Sequence, residues 1–118
     1  MGEIQKAASI PIEKIDGTVI ARPQMKMMDE NALKALAGAI DEASGADAGI
    51  TLVILDLSRV AIVPSLALGS LVQVANKCRA RQQKLKLAGL QQQIRQVFAI
   101  TRLDRVFQFA DSVEAAMQ

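Results

Sequence analysis

Few side chains in this sequence can do chemistry, and the most pointed of them is a serine. Ser65 follows Pro64 in "IVPSLALG", where an apolar run meets the start of a helical pattern. Asp56 and Ser58 precede it by less than ten residues in "LDLS". With no histidine in the chain, Ser-His and Cys-His nucleophiles, His-based zinc sites and a histidine pH switch are excluded. No pair of titratable groups, metal set or activated nucleophile can be assembled, so no catalytic residue is assigned and the expectation is not an enzyme, with no cofactor and no metal. The chemistry left to Ser65 is that of a hydroxyl. As an N-cap it accepts a hydrogen bond from the helix backbone, worth about 1 kcal/mol. As a phosphorylation site it would bring nearly two negative charges to the positive end of a helix dipole. A partner packing apolar groups against Leu66 would then be repelled. Both readings stay open on residue types alone.

The other candidates have structural alternatives too. Asp56, closing a buried strand, either accepts loop N–H bonds or helps a partner or nucleotide dock beside Ser65. Ser58 is a turn residue or a secondary phosphosite. Met25, Met27 and Met28 fill core or form a partner-binding surface. Cys78 lies on an apolar helical stripe and reads as a small core residue. As the single cysteine it excludes an internal disulfide and fits a reducing cytosol.

These residues must be positioned by one domain. The 118 residues allow a single core (domain 1–118), and 51% hydrophobic with 22% charged residues fits a soluble globule. Only three Phe and no Trp or Tyr are present, so the core is aliphatic and base stacking has few candidates. A net charge of +2 does not imply nucleic acid. The cluster Lys77, Arg79, Arg81, Lys84, Lys86 reads as cations at a helix C-terminus followed by the polar face of a strand. The start "MGEIQKAAS" has no signal-peptide pattern, Lys6 excludes myristoylation at Gly2, and polar residues interrupt the apolar region 50–75. No membrane insertion is expected, and the location expected is cytoplasmic.

"SIPIEKI" and "TVIARP", joined at Asp16-Gly17, predict a hairpin, with Pro11 marking an edge strand. Asp29 or Asn31 is expected to cap a helix running to about Ser44, burying Leu33, Leu36, Ala37 and Ile40 and stopped by Gly45. "GITLVILDLS" predicts a strand buried on both faces. A helix from Ser65 buries Leu68, Leu71, Val72, Ala75 and Cys78. "KLKLAG" predicts a strand, Ile94, Val97 and Phe98 a helix, "RVFQF" a strand. Asp111 and Glu114 have capping-box spacing for a last helix. The expected fold is α/β, with about five strands and four helices in the order β-β-α-β-α-β-α-β-α. Helices should cover one face of the small mixed sheet more heavily. Sites in such sheets form beyond the strands' carboxyl ends, where residues 56–69 lie.

"LVILDLSRVAIVPSLALGSLV" and "KLKLAGLQQQIRQVFAITRLDRVFQFADSVEAAM" resemble the STAS domains, the family of anti-sigma-factor antagonists. Asp56, Leu57 and Ser58 match the family's Asp-Leu-Ser. Ser65, Leu68 and Gly69 match its Asp-Ser-Ser/Thr-Gly-Leu-Gly, with Pro64, Leu66 and Ala67 replacing Asp, Ser/Thr and Gly. The resemblance implies a bacterial regulatory module that docks a serine kinase acting as an anti-sigma factor. Docking would run through Asp56, Ser58, Pro64, Ser65, Leu66, Leu68 and Gly69, with phosphorylation at Ser65 releasing the complex. It also implies an alternative, a non-phosphorylated subunit of a lipid-transport ABC complex or of a multi-STAS assembly. A small ligand in the crevice at the strand ends is a further possibility, but the chain lacks a phosphate-binding glycine loop.

Overall fold

The computed structural model describes residues 10–44 and 49–118; Ser9 and Gly45, expected at a strand start and a helix end, lie outside these, as does the segment 1–8. Strands β1 (Ile12–Ile15), β2 (Thr18–Ala21), β3 (Leu52–Asp56), β4 (Lys84–Ala88) and β5 (Gln108–Ala110) form one sheet in that spatial order. The helices are α1 (Glu30–Ser44), α2 (Ser65–Ala80), α3 (Gln92–Ile100) and α4 (Val113–Ala116). The order is the expected one. A short 3₁₀ turn, Leu103–Arg105, is added after α3.

The first pair is antiparallel and every later pair parallel. Each parallel step is spanned by a helix, as a crossover requires. At the hairpin, Asp16 takes the positive φ of 53°. Gly17 is needed for a different reason: a Cβ there would sit 2.9 Å from the Gly49 carbonyl oxygen.

Side chains alternate across a strand, and the two faces are unequally covered. Val19, Ala21, Val53, Leu55, Leu85 and Leu87 face the main core, against α1, α2 and α3. Ile20, Ile54 and Ala88 face a smaller cluster closed by Val113 and Ala116 of α4. Thus β3 is apolar on both sides. Asp29 caps α1 by accepting the Ala32 N–H at 2.9 Å, and Leu33, Leu36 and Ile40 are buried, with Ala37 partly so. In α2 the buried set is Ala67, Leu68, Leu71, Val74, Ala75 and Cys78, with Val72 half-buried. Burial pushes the Cys78 thiol pKa up, in keeping with a core role.

Two sequence expectations shift. "RVFQF" does not form a strand from Arg105. The 3₁₀ turn uses that residue, Phe107 is drawn into the core, and pairing starts at Gln108. Phe98 meets Phe107 and Phe109 edge-on, at 5.4 and 5.6 Å between ring centroids, so all three aromatics join one cluster. The last helix is capped by Ser112 rather than Asp111: the Ser112 hydroxyl accepts the Ala115 N–H at 3.1 Å, while the Asp111 side chain is fully exposed.

The basic cluster has structural partners. Arg81 and Lys77 both bind Asp41, at 2.6 and 3.4 Å, tying the ends of α1 and α2 together. Although burial opposes it, this cation pair holds the Asp41 carboxyl below its usual range. Lys86 donates to the Ala116 carbonyl at the end of α4. Helix α2 stops in a Schellman arrangement, with the Gln83 N–H on the Cys78 carbonyl and the Gln82 N–H on the Arg79 carbonyl. Gln82 occupies the left-handed position, φ 61°, that favours glycine. Gln82→Gly is expected to raise unfolding stability by about 1 kcal/mol, measured as a higher urea midpoint at unchanged slope.

Candidate functional site

The site is built from the end of β3 onward. The strand's last side chain, Asp56, turns back on the chain, accepting the Ser58 N–H on Oδ1 at 3.1 Å. Its other oxygen lies 3.7 Å from Arg22 Nε, and Arg22 also pairs with Glu13. Of the two readings of Asp56, the loop-bonding one describes this geometry. Ser58 is an exposed turn residue, its turn closed by the Val60 N–H on the Leu57 carbonyl. Gln91 donates to the Ser58 carbonyl at 3.0 Å. Beneath the turn, Gly89 has φ +70°, and a Cβ there would approach Ser58 Cβ to 3.2 Å. Glycine is required at 89 by conformation and by space alike.

Past the turn, Val60 and Val63 are buried and anchor the loop. Between them Ala61 and Ile62 donate their N–H groups to the Lys26 carbonyl, at 2.7 and 3.0 Å. Met28 in turn donates to the Ile62 carbonyl at 2.9 Å, forming an isolated parallel bridge, Met27 to Ile62. The loops after β2 and β3 are thereby held side by side. The methionines divide: Met28 is core, Met25 packs partly against it, and Met27 is exposed.

Ser65 does not cap α2. Pro64 holds the N-cap position with φ −60° and ψ 149°, and there is no side-chain cap. Its carbonyl accepts the Ala67 N–H at 2.9 Å. Proline's fixed φ suits the extended residue before a helix, so the helix begins one position earlier than a serine cap requires, with Ser65 in its first turn. The Ser65 side chain is exposed and its hydroxyl has no hydrogen-bond partner among the described residues.

Of the seven residues singled out in the sequence, Ser58, Ser65, Leu66 and Gly69 are exposed, and Asp56 and Pro64 are half-buried. Leu66 is 80% exposed. Leu68 departs from the set: it is buried in the main core, so it holds α2 on the sheet and offers no surface. Gly69 is a helical glycine whose Cβ would meet nothing within 4 Å. Sequence reasoning missed Ile62 as a surface residue. The run Val60 to Val63 is uniformly apolar, and only the bridge to Met27 reveals which of its side chains turn outward. Among the described residues, no cluster of His, Cys, Asp or Glu could hold a metal, and no helix is long and apolar enough to cross a membrane.

Comparison with known proteins agrees with the motif. The STAS domain model matches residues 9–116. BtrV of Bordetella bronchiseptica, provisionally named an anti-sigma factor antagonist, is 35% identical over 107 residues, covering 91% of this chain and 90% of its own. The crystal structure of TM1081 from Thermotoga maritima superposes with a TM-score of 0.77 at 20% identity, covering 92% of this chain and 91% of that one. The phosphorylated form of SpoIIAA, a Bacillus cell fate determinant, gives 0.68 at 19%, covering 92% and 96%. These two structures share the fold. The family match over almost the whole chain, together with the 35% identity to BtrV, establishes that this protein belongs to the STAS domain family and is of the anti-sigma factor antagonist type.

Proposed function

We propose that this protein is a bacterial regulatory module. It docks an anti-sigma factor of the serine-kinase type through the exposed first turn of α2 and the loop before it, and phosphorylation of Ser65 releases the partner. The observation that carries this reading is the juxtaposition of an unengaged Ser65 hydroxyl with Leu66 at 80% exposure on the next residue. An apolar side chain that open to water packs little against the described residues. A phosphate beside it would be tolerated by the helix N-terminus, where the first N–H groups lack intrahelical acceptors. The same phosphate would make an apolar contact unfavourable, because burying its charge is costly. SpoIIAA, which shares the fold, is described in both phosphorylated and unphosphorylated forms.

Gly69 supports the same surface. A glycine inside a helix costs up to about 1 kcal/mol relative to alanine, and nothing among the described residues lies within 4 Å of where a Cβ would stand. Close approach of a partner's backbone or side chain is a reason for it that the isolated chain does not supply.

A second reading, a subunit that docks constitutively in a multi-STAS assembly or on a lipid-transport ATPase, is favoured by Pro64 and Leu66. These replace the acidic and hydroxyl residues of the family motif.

Two measurements separate these readings. With the native partner captured from cells of the source organism, Ser65→Asp is expected to weaken binding at least about tenfold while Ser65→Ala binds as the parent does. Equal binding by all three forms defeats the switch and leaves the constitutive subunit. Gly69→Ala is expected to raise unfolding stability by up to about 1 kcal/mol and yet weaken partner binding. A gain in stability with binding unchanged removes Gly69 from the docking surface.

A further inference from the structure

Six large apolar side chains are exposed among the described residues: Met27, Ile62, Leu66, Ile100, Val106 and Met117. Half of them lie in the segments beyond the carboxyl ends of β2 and β3, Met27 and Ile62 side by side and Leu66 at the start of α2, which distinguishes this end of the sheet from scattered surface hydrophobes. Met27 and Ile62 are bridge partners, and partners on neighbouring strands lie about 5 Å apart with their side chains on the same face. Met27 is 47% exposed and Ile62 53%, and Leu66 follows four residues after Ile62, across Pro64.

Two cations stand beside this patch in the sequence, Lys26 next to Met27 and Arg59 three residues before Ile62. Lys26 and Arg59 are exposed and have no ion pair among the described residues. The first turn of α2 carries no acidic residue, although that is where carboxylates are most favourable. Of the carboxylates near in sequence, Asp56 is engaged by Arg22 and the Ser58 N–H and Asp29 by its helix cap, while Glu30 is exposed in the first turn of α1, where the helix dipole favours it. The N–H groups of Met28, Ala61 and Ile62 are all bonded within the chain, so the bridge between the two loops is already paired on its inner side. What this surface chiefly presents is the exposed side chains of Met27, Ile62 and Leu66, which suits a helix laying an apolar stripe on it.

We infer that the docking element accepted at Met27, Ile62 and Leu66 is an acidic amphipathic helix, whose apolar stripe covers these three residues and whose flanking carboxylates meet Lys26 and Arg59. The inference rests on the docking reading above and adds the chemistry of the partner. It also supplies a release mechanism: a phosphate on Ser65 places negative charge against the partner's carboxylates, so repulsion acts in addition to the cost of burying the phosphate. Two unpaired cations fall short of the basic cluster that an anionic membrane surface engages.

The test uses the whole ¹⁵N-labelled chain and two synthetic helical peptides with identical leucine stripes, one flanked by glutamates and the other by lysines. The glutamate peptide is expected to shift the amide signals of residues 26–28 and 59–66, and to bind at least about tenfold more tightly than the lysine peptide at low salt. Raising the salt should remove most of that preference. Leu66→Ala should weaken the glutamate peptide about tenfold, and the double variant Lys26→Glu, Arg59→Glu should abolish its advantage, each with an unchanged melting temperature. Equal binding of both peptides, shifts confined to another face, or no shift at millimolar peptide would overturn the inference. So would binding only to phosphatidylglycerol vesicles. If Ser65→Asp releases the native partner while the glutamate peptide fails, the docking reading stands and the acidic helix alone is lost. If the peptide behaves as expected and Ser65→Asp changes nothing, the phosphate switch alone is lost.

Discussion

Burial of β3 on both faces is the constraint from which the placement of the site follows. Val53 and Leu55 pack under α1 and α2, Ile54 packs under α4, and the first charged side chain the strand can carry is Asp56, at its end. An unpaired polar group earlier in the strand would be desolvated without compensation. Polar chemistry is displaced to the carboxyl edge, where the chain must also turn. There the Asp56 carboxylate satisfies the Ser58 N–H, and Gly89 makes room for that turn.

The next element inherits its orientation from the same core. Helix α2 buries Ala67, Leu68, Leu71, Val74, Ala75 and Cys78, a stripe at three- and four-residue spacing. Once that stripe is seated, a period of 3.6 residues leaves Ser65, Leu66 and Gly69 on the opposite side. Leu66 is therefore exposed because of where its neighbours are buried, and no rotamer change returns it to the core. Val60 and Val63 fix the loop in the same manner, leaving Ile62 outside. The apolar patch is thus a rigid consequence of packing, held further by the bridge between Met27 and Ile62. A preorganised patch of this kind would not have to order its own backbone on meeting the proposed partner.

Much of this was legible in the sequence because the signals were periodic. The double-sided strand, the stripes of α1 and α2, and the Asp16-Gly17 hairpin each left a pattern of types that a single physical requirement explains. Boundaries set by competition between neighbours were harder. Ser65 and Ser112 are both serines before apolar helical runs, yet only Ser112 caps. Pro64 takes the cap position in the first case, whereas Asp111 faces solvent in the second and leaves the role to the serine. Phe107 shows another limit. "RVFQF" reads as one strand, but its Arg105 is taken by the 3₁₀ turn and Phe107 is buried in the core beside Phe98, so the strand starts one residue after Phe107. Ile62 had no signature, since its exposure depends on a contact with residues more than thirty positions earlier.

The displacement of Ser65 from the cap to the first turn bears on how a switch at this position would work. A capping hydroxyl is engaged with the helix backbone, and modifying it would sacrifice a bond worth about 1 kcal/mol. At the observed position the hydroxyl has no partner among the described residues, so a phosphate ester would remove no interaction with them. The added charge lies close to the first amides of α2, whose partial positive charge favours an anion. Fold and surface are thereby decoupled: the helix gains or loses little, while the polarity beside Leu66 reverses. A residue that contributes nothing to its own helix is well suited to report to another molecule, because its modification is free to act on binding without first acting on stability.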